Sequence, residues 1–214
     1  MRENNPKLIA LTPNYLVVDK PRGLPVDMGH TELPSLSKWV TKHLQQQNER
    51  INKWGVHPVH FIDRSVGGLV LFARKKSMFV ELQRQFLHRK VEKIYLAQTE
   101  TPLPENNHRI SLFHQRSDDG KRALIFSEMK KGTKPVDLRY ELMENGWYMI
   151  KLGTGKYHQI RSMLAFLYAP IKGDTLYNGA NIPPDAIELY AYKLTFTDPE
   201  YNRRITFVSR MLPA

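Results

Sequence analysis

Val59-His60-Phe61-Ile62-Asp63-Arg64-Ser65-Val66-Gly67-Gly68-Leu69-Val70-Leu71-Phe72-Ala73 sets an acid at the end of one apolar run and a glycine pair at the start of the next. Residues 59–62 and 69–73 read as strands joined by a polar, glycine-containing turn, which makes the segment part of a sheet. On a strand, Phe61 and Asp63 are two residues apart and face one side. Taken alone, Asp63 is a turn former, because aspartate bonds nearby backbone N–H groups. By periodicity alone, the Phe61 ring belongs to a core.

Outward from this segment the chain keeps alternating short strands with turns. Residues 8–11 and 15–19 are strand-like around Pro13-Asn14, and two prolines flank a glycine in the loop Lys20-Pro21-Arg22-Gly23-Leu24-Pro25. A helix is expected over 35–47, with Leu36, Val40 and Leu44 on one face and Ser35 as N-cap. Another is expected over 77–88, with Phe79, Leu82 and Phe86 inward and Arg84 and Gln85 pointing away. A strand follows over 94–99. The polar, weakly periodic stretch 101–133 reads as hairpins and loops with short strands such as 123–127. Strands 136–142 and 147–152 meet at Asn145-Gly146, a strong hairpin signal. Gly153-Thr154-Gly155 breaks the second of them before a helix over 157–167, and strands 190–196 and 204–208 close the chain. About ten strands, mostly joined by short turns, predict an α+β class with a largely antiparallel sheet. No linker divides the chain, so one domain over 1–214 is expected.

Lys and Arg outnumber Asp and Glu by 32 to 21, for a net charge of +11. The excess is concentrated: 74–93 holds seven basic residues against two acidic, and 109–134 holds seven against three. Such clusters favour a polyanionic partner. No strongly apolar helical face accompanies them, so nucleic acid is preferred to a membrane surface. The absence of cysteine excludes disulfides and zinc–thiolate sites. No histidine pair has convincing ligand spacing, because Pro58 separates His57 from His60, and no metal site is expected. The N-terminal residues lack the apolar stretch of a signal peptide, and a cytoplasmic protein is expected.

Two further segments can carry chemistry. In Lys151-Leu152-Gly153-Thr154-Gly155-Lys156-Tyr157-His158-Gln159-Ile160-Arg161 a glycine turn opens a helix, whose first N–H groups and Lys156 could hold a phosphate. His158 and Arg161, three apart, share a face, while Ile160, Leu164 and Leu167 suit the core. In Val91-Glu92-Lys93-Ile94-Tyr95-Leu96-Ala97, Tyr95 follows a basic turn on a short strand. Each segment alone also reads as ordinary structure.

Together, and in order, these segments resemble the RluA family of RNA pseudouridine synthases over nearly the whole chain. Asn14 to Val26 looks like the family's opening strand and NKPxGLxV turn. His60 to Gly68 looks like HRLDxxTSG, Lys93 to Ala97 like KxYLA, Gly155 to Arg161 like TGRxHQIR, and Ala169 to Gly179 like HPIxGDxxYG. The resemblance implies a mixed, mostly antiparallel sheet with a central cleft. It implies Asp63 as the nucleophile or base that breaks the uracil glycosidic bond, Arg161 as its partner, and Tyr95 stacking on or deprotonating the target nucleoside. RNA contacts are expected from Phe61, His60, Arg64, Lys75, Lys76, Arg84, Lys156 and His158. No cofactor and no metal are implied. The partner is RNA, either tRNA or rRNA; no membrane or obligate protein partner is evident, and a monomer is expected. No room is left for a separate N-terminal RNA-binding domain. Three departures stand out: Phe61 replaces an arginine, Val66 and Gly67 replace a threonine and a serine, and Tyr190 replaces a histidine. They leave a rival reading, an RNA binder or chaperone of the same fold with weak chemistry. A further rival is an enzyme of small phosphorylated metabolites using the Gly153–Gly155 turn.

Overall fold

A computed structural model describes residues 5–29, 31–180 and 187–211; of the N-terminal stretch read above, residues 1–4 lie outside them. In chain order the strands begin with β1 (Lys7–Leu11), β2 (Tyr15–Lys20), β3 (His57–Pro58), β4 (Gly67–Ala73) and β5 (Glu92–Ala97). They continue with β6 (Asn107–Arg116), β7 (Ala123–Phe126), β8 (Lys134–Leu142), β9 (Tyr148–Leu152), β10 (Leu189–Asp198) and β11 (Arg203–Val208). The helices are α1 (Leu36–Gln46), α2 (Lys76–Leu87) and α3 (Gln159–Phe166), followed by a 3-10 turn over Thr175–Tyr177. The chain divides into two compact units, Met1–Lys93 with Ala191–Ala214, and Ile94–Tyr190. The class is the expected α+β, with antiparallel pairing dominant.

In the first unit the strand order is β1-β2-β4-β10, with β11 beside β10 and β3 beside β4. Every residue of β2 and β4 is buried. Strands covered on both faces have no polar side to display, so residues 15–18 and 69–73 run apolar without alternation, and the two charges that end β2 are buried with them. Val17, Leu69, Leu71, Leu82 and Phe196 pack into one core. Ser35 caps α1, its side chain accepting from the Lys38 N–H. After β11 the chain is fastened to β2, where the Asp19 carboxylate accepts Ser209 Oγ and the N–H groups of Arg210 and Met211. Gly68 tolerates no side chain, because a Cβ there would lie 2.3 Å from the Ala191 carbonyl oxygen.

Two expectations fail in this unit, for one physical reason. Residues 59–62 are not a strand: β3 is only His57–Pro58, and the chain beyond it is a loop. The Leu71 carbonyl still receives the Val59 N–H at 2.8 Å, but the Leu71 N–H is taken by His60 Nε2 at 3.2 Å. A histidine ring thus replaces the carbonyl that a longer strand would have offered. Gln85 likewise does not point away from α2 but is buried, its amide meeting both the N–H and the carbonyl of Thr197 at 2.9 and 2.8 Å. Buried backbone groups must be paired, and side chains can do it where strands end.

The second unit orders its strands β5-β9-β8-β6-β7. β8 and β9 form the expected hairpin, closed by the Met143 N–H to the Trp147 carbonyl. The ten-residue β6 replaces what was expected to be loops and short strands. Its inward residues Ile110, Leu112 and His114 alternate with exposed Asn107, Arg109 and Ser111, and a buried histidine conceals the period. In α3 the residues Gln159 to Leu164 are all buried.

Candidate active site

Asp63 stands half-buried on the loop between β3 and β4, between exposed Phe61 and exposed Arg64. That loop is locked to the loop after β2. The Gly23 N–H donates to the Arg64 carbonyl at 2.8 Å, and Arg64 Nε returns a bond to the Gly23 carbonyl at 3.0 Å. Beneath them Lys20, with no exposed surface, donates from Nζ to the carbonyls of Pro21 (3.1 Å), Leu24 (2.6 Å) and Arg64 (3.3 Å). One ammonium therefore gathers both loops under Asp63. Burial pushes the Lys20 ammonium down to about 7, against the pull of the Asp63 carboxylate, which favours its charge. The sequence marks Lys20 only as a lysine at the end of an apolar strand, ahead of a proline.

The Lys20 environment has a measurable consequence. Between pH 7 and the ordinary lysine range, the unfolded chain holds a proton that the native chain has lost. Stability from this group therefore rises with pH in that window and is flat below it. The difference in unfolding free energy between wild type and Lys20→Met is expected to be constant below about pH 6. Above that it should grow, by at most about 1.4 kcal/mol per pH unit. Denaturant titrations across this range check it; a difference that never changes means the ammonium is not perturbed.

Phe61 is 63% exposed. The core reading from periodicity fails because there is no strand to impose alternation. His60, expected to touch RNA, is corrected: its ring is spent on Leu71 and stacks on Phe86 at 4.8 Å. Burial pushes its imidazole down to about 3, so it stays neutral. Lys75, Lys76 and Arg84 are exposed at α2, where Lys75 Nζ bonds Asn14 Oδ1 at 2.7 Å and Arg84 pairs with Glu81 at 3.0 Å.

In the second unit Arg161 sits on α3 with its side chain 8% exposed, facing an Asp174 side chain that is 1% exposed. Nε donates to Oδ2 at 2.7 Å and Nη2 to Oδ1 at 2.9 Å. This is the two-pronged geometry that suits a guanidinium and that a lysine cannot reproduce. Nη1 meets His158 Nε2 at 3.0 Å, so the expected sharing of a face holds. A guanidinium only donates, so His158 Nε2 accepts and its proton lies on Nδ1, which donates to Tyr177 Oη at 3.0 Å. Tyr177 Oη also receives the Ala123 N–H at 2.7 Å, and burial pushes the phenol up to about 12. His158 therefore serves Arg161, and it does so from a left-handed backbone with φ of 50°, a conformation unusual for histidine. Asp174 and Tyr177 stand beyond the end of α3 in the chain, and only folding brings them to Arg161.

Tyr95 lies half-buried on β5, opposite Ile150 of β9. Lys156 is exposed before α3. The glycine turn there is not a phosphate cradle. The Gly153 N–H goes to the Asp137 carbonyl (3.1 Å), and the Lys156 N–H to Gln159 Oε1 (3.0 Å), which also accepts Thr154 Oγ1 (2.8 Å). Gly153 is required because a Cβ would fall 1.9 Å from Asp137 Oδ2. Among the described residues no group of three His, Cys, Asp or Glu is placed to hold a metal ion, and no helix is long and apolar enough to cross a membrane.

A family model described as RNA pseudouridylate synthase matches residues 14–166. An uncharacterized RNA pseudouridine synthase of Helicobacter pylori is 29% identical over 91% of this chain and 63% of its own length. The dual-specificity RNA pseudouridine synthase RluA of Vibrio cholerae is 32% identical over 67% of this chain and 60% of its own. The chain thus spans less than two thirds of either relative. The structure of human RNA pseudouridylate synthase domain containing 1 superposes with a TM-score of 0.76 at 24% identity, over 96% of this chain and 83% of that one; it shares the fold.

Proposed function

The chain belongs to the RNA pseudouridylate synthase family, and from that premise we propose that it isomerises uridines in structured RNA to pseudouridine. Asp63 acts as nucleophile or base, Arg161 supplies a permanent positive charge to the reaction, and Tyr95 stacks on or deprotonates the target nucleoside. The N1–C1′ bond breaks, the freed uracil rotates, a C5–C1′ bond forms, the C5 proton goes to solvent and N1 takes a proton up in its place. The substrate is cytoplasmic tRNA or rRNA.

The observation that carries the reading is the braced position of Asp63. Two loops are locked together around a buried ammonium, and the residue that carries this carboxylate lies between the bonds that lock them. A nucleophile gains most from being held in place, because the freedom lost in the transition state is already gone. A buried arginine keeps its charge, so Arg161 can stabilise a partner carboxylate where a lysine would lose its proton. Incubating the protein with tRNA and rRNA transcripts carrying 5-tritiated uridine tests the activity. Tritium release is expected, together with loss of specific pseudouridines from cells lacking the gene. RNA binding without tritium release leaves the rival, a catalytically silent RNA binder.

Phe61 is proposed to occupy the gap left by the extruded base. Base–aromatic stacking of about 1–3 kcal/mol makes Phe61→Ala roughly ten- to a hundredfold slower on structured RNA. The effect should be smaller on an unstructured oligonucleotide, which has no stack to open, and Phe61→Arg should retain or raise activity. At 63% exposure, Phe61→Ala should change stability by no more than about 0.5 kcal/mol. Equal losses on both substrates would remove Phe61 from base extrusion.

A further inference from the structure

The hairpin between β6 and β7 carries exposed Arg116, Lys121 and Arg122. An exposed arginine ordinarily swings through many rotamers, but Arg116 is pinned. Its Nε donates to the Gly120 carbonyl at 2.9 Å, and its guanidinium carbon lies 4.3 Å from the centroid of the Tyr157 ring. His158 stacks on Tyr157 at 3.8 Å with an interplanar angle of 18°. A ring covered that closely by an imidazole leaves only its opposite face to the guanidinium. His158, Tyr157 and Arg116 therefore form a column that runs outward from half-buried to exposed.

The column is braced along its length. The Tyr157 hydroxyl donates to the Lys121 carbonyl at 3.3 Å, and the Tyr157 carbonyl accepts from His114 Nε2 at 2.9 Å. At its inner end His158 is held by Arg161 and Tyr177, as described above. The Asp119 carboxylate is occupied inside the turn, by Ser117 Oγ and the Lys121 N–H.

We propose that the outer face of the Arg116 guanidinium is a stacking shelf for an unpaired RNA base, with Lys121, Arg122 and Lys156 meeting the flanking phosphates. The proposal rests on RNA as the substrate and adds to it a contact outside the residues expected from sequence. Bases stack on guanidinium planes as they do on aromatic rings. With Nε spent on the Gly120 carbonyl, the side-on fork of Nε and one Nη is closed to a phosphate. Fixing the plane in advance also lowers the entropy lost when a base lands on it.

The test uses a stem-loop RNA with 2-aminopurine at its unpaired positions. Wild type should quench one of these probes on binding. Arg116→Lys keeps the charge and loses the plane, so the quench should vanish and affinity should fall about tenfold, while the salt dependence stays near that of wild type. Lys121→Ala with Arg122→Ala should keep the quench and reduce the log–log salt slope by about 1.4. Thermal melts of each variant confirm that the hairpin still folds. Arg116→Lys within twofold of wild type with its quench intact overturns the shelf. So does a pattern in which only Arg116→Ala weakens binding, and only through the salt slope, since Arg116 is then a phosphate contact. Tritium release by wild type is measured in parallel. A quench lost in Arg116→Lys without any wild-type tritium release overturns the proposed activity alone, whereas tritium release with an unaffected Arg116→Lys overturns the shelf alone.

Discussion

Asp63→Asn is expected to abolish uridine isomerisation, by several orders of magnitude, while the protein stays folded. The amide keeps the shape of the side chain but cannot attack C1′ or take a proton. The loop should survive on the bonds that the substitution leaves in place: the Gly23 N–H to the Arg64 carbonyl, Arg64 Nε to the Gly23 carbonyl and Lys20 Nζ to the Arg64 carbonyl. Tritium release from 5-tritiated uridine RNA, compared at equal protein concentration, measures the loss. Activity within tenfold of wild type removes Asp63 from the mechanism. The substitution also removes the charge that helps keep Lys20 protonated, so the pH at which stability begins to rise should move downward in the variant.

The second large effect is expected at Asp174. Its carboxylate and the Arg161 guanidinium are both nearly inaccessible to water. Removing one partner of such a pair strands the other charge in a poor solvent, which typically costs about 3–5 kcal/mol. For a chain of this size that corresponds to a fall in melting temperature of about 10 °C. Asp174→Ala should therefore lower stability sharply and also depress activity, because the guanidinium loses the two-pronged partner that fixes its plane. The double variant Arg161→Met with Asp174→Leu separates the two roles. Replacing both charges with apolar groups should restore most of the stability, yet activity should stay lost if Arg161 supports the proposed chemistry. Denaturant melts and tritium release on the same preparations decide it. An Asp174→Ala protein as stable as wild type means the pair does not hold this loop, and a double variant with near-normal activity removes Arg161 from the reaction.

Much of this protein was legible without coordinates, and the legible parts share a cause. Helices α1 and α2 announced themselves because one buried face at a period of 3.6 leaves a local imprint, and Ser35 because a cap acts on its own next turn. The β8–β9 hairpin was set by Asn145-Gly146 for the same reason. The family was recognised because five short motifs occur in order along the chain. The positive charge needed only counting.

What local pattern could not reach was decided by partners distant in the chain. The loop carrying Asp63 is a loop because His60 and Val59 satisfy Leu71, eleven and twelve residues away, so alternation along 59–62 had nothing to act on. Gln85 turned inward to serve Thr197, more than a hundred residues on. Lys20 became a buried clamp when the chain brought Arg64 over it, and Asp174 became the fork for Arg161 only when two segments of the second unit closed on each other. In each case a polar group was buried and had to find a hydrogen-bond partner. Hydrophobic period and turn chemistry are short-range and are written in consecutive residues. The pairing of buried polar groups is long-range, and only the tertiary structure decides it.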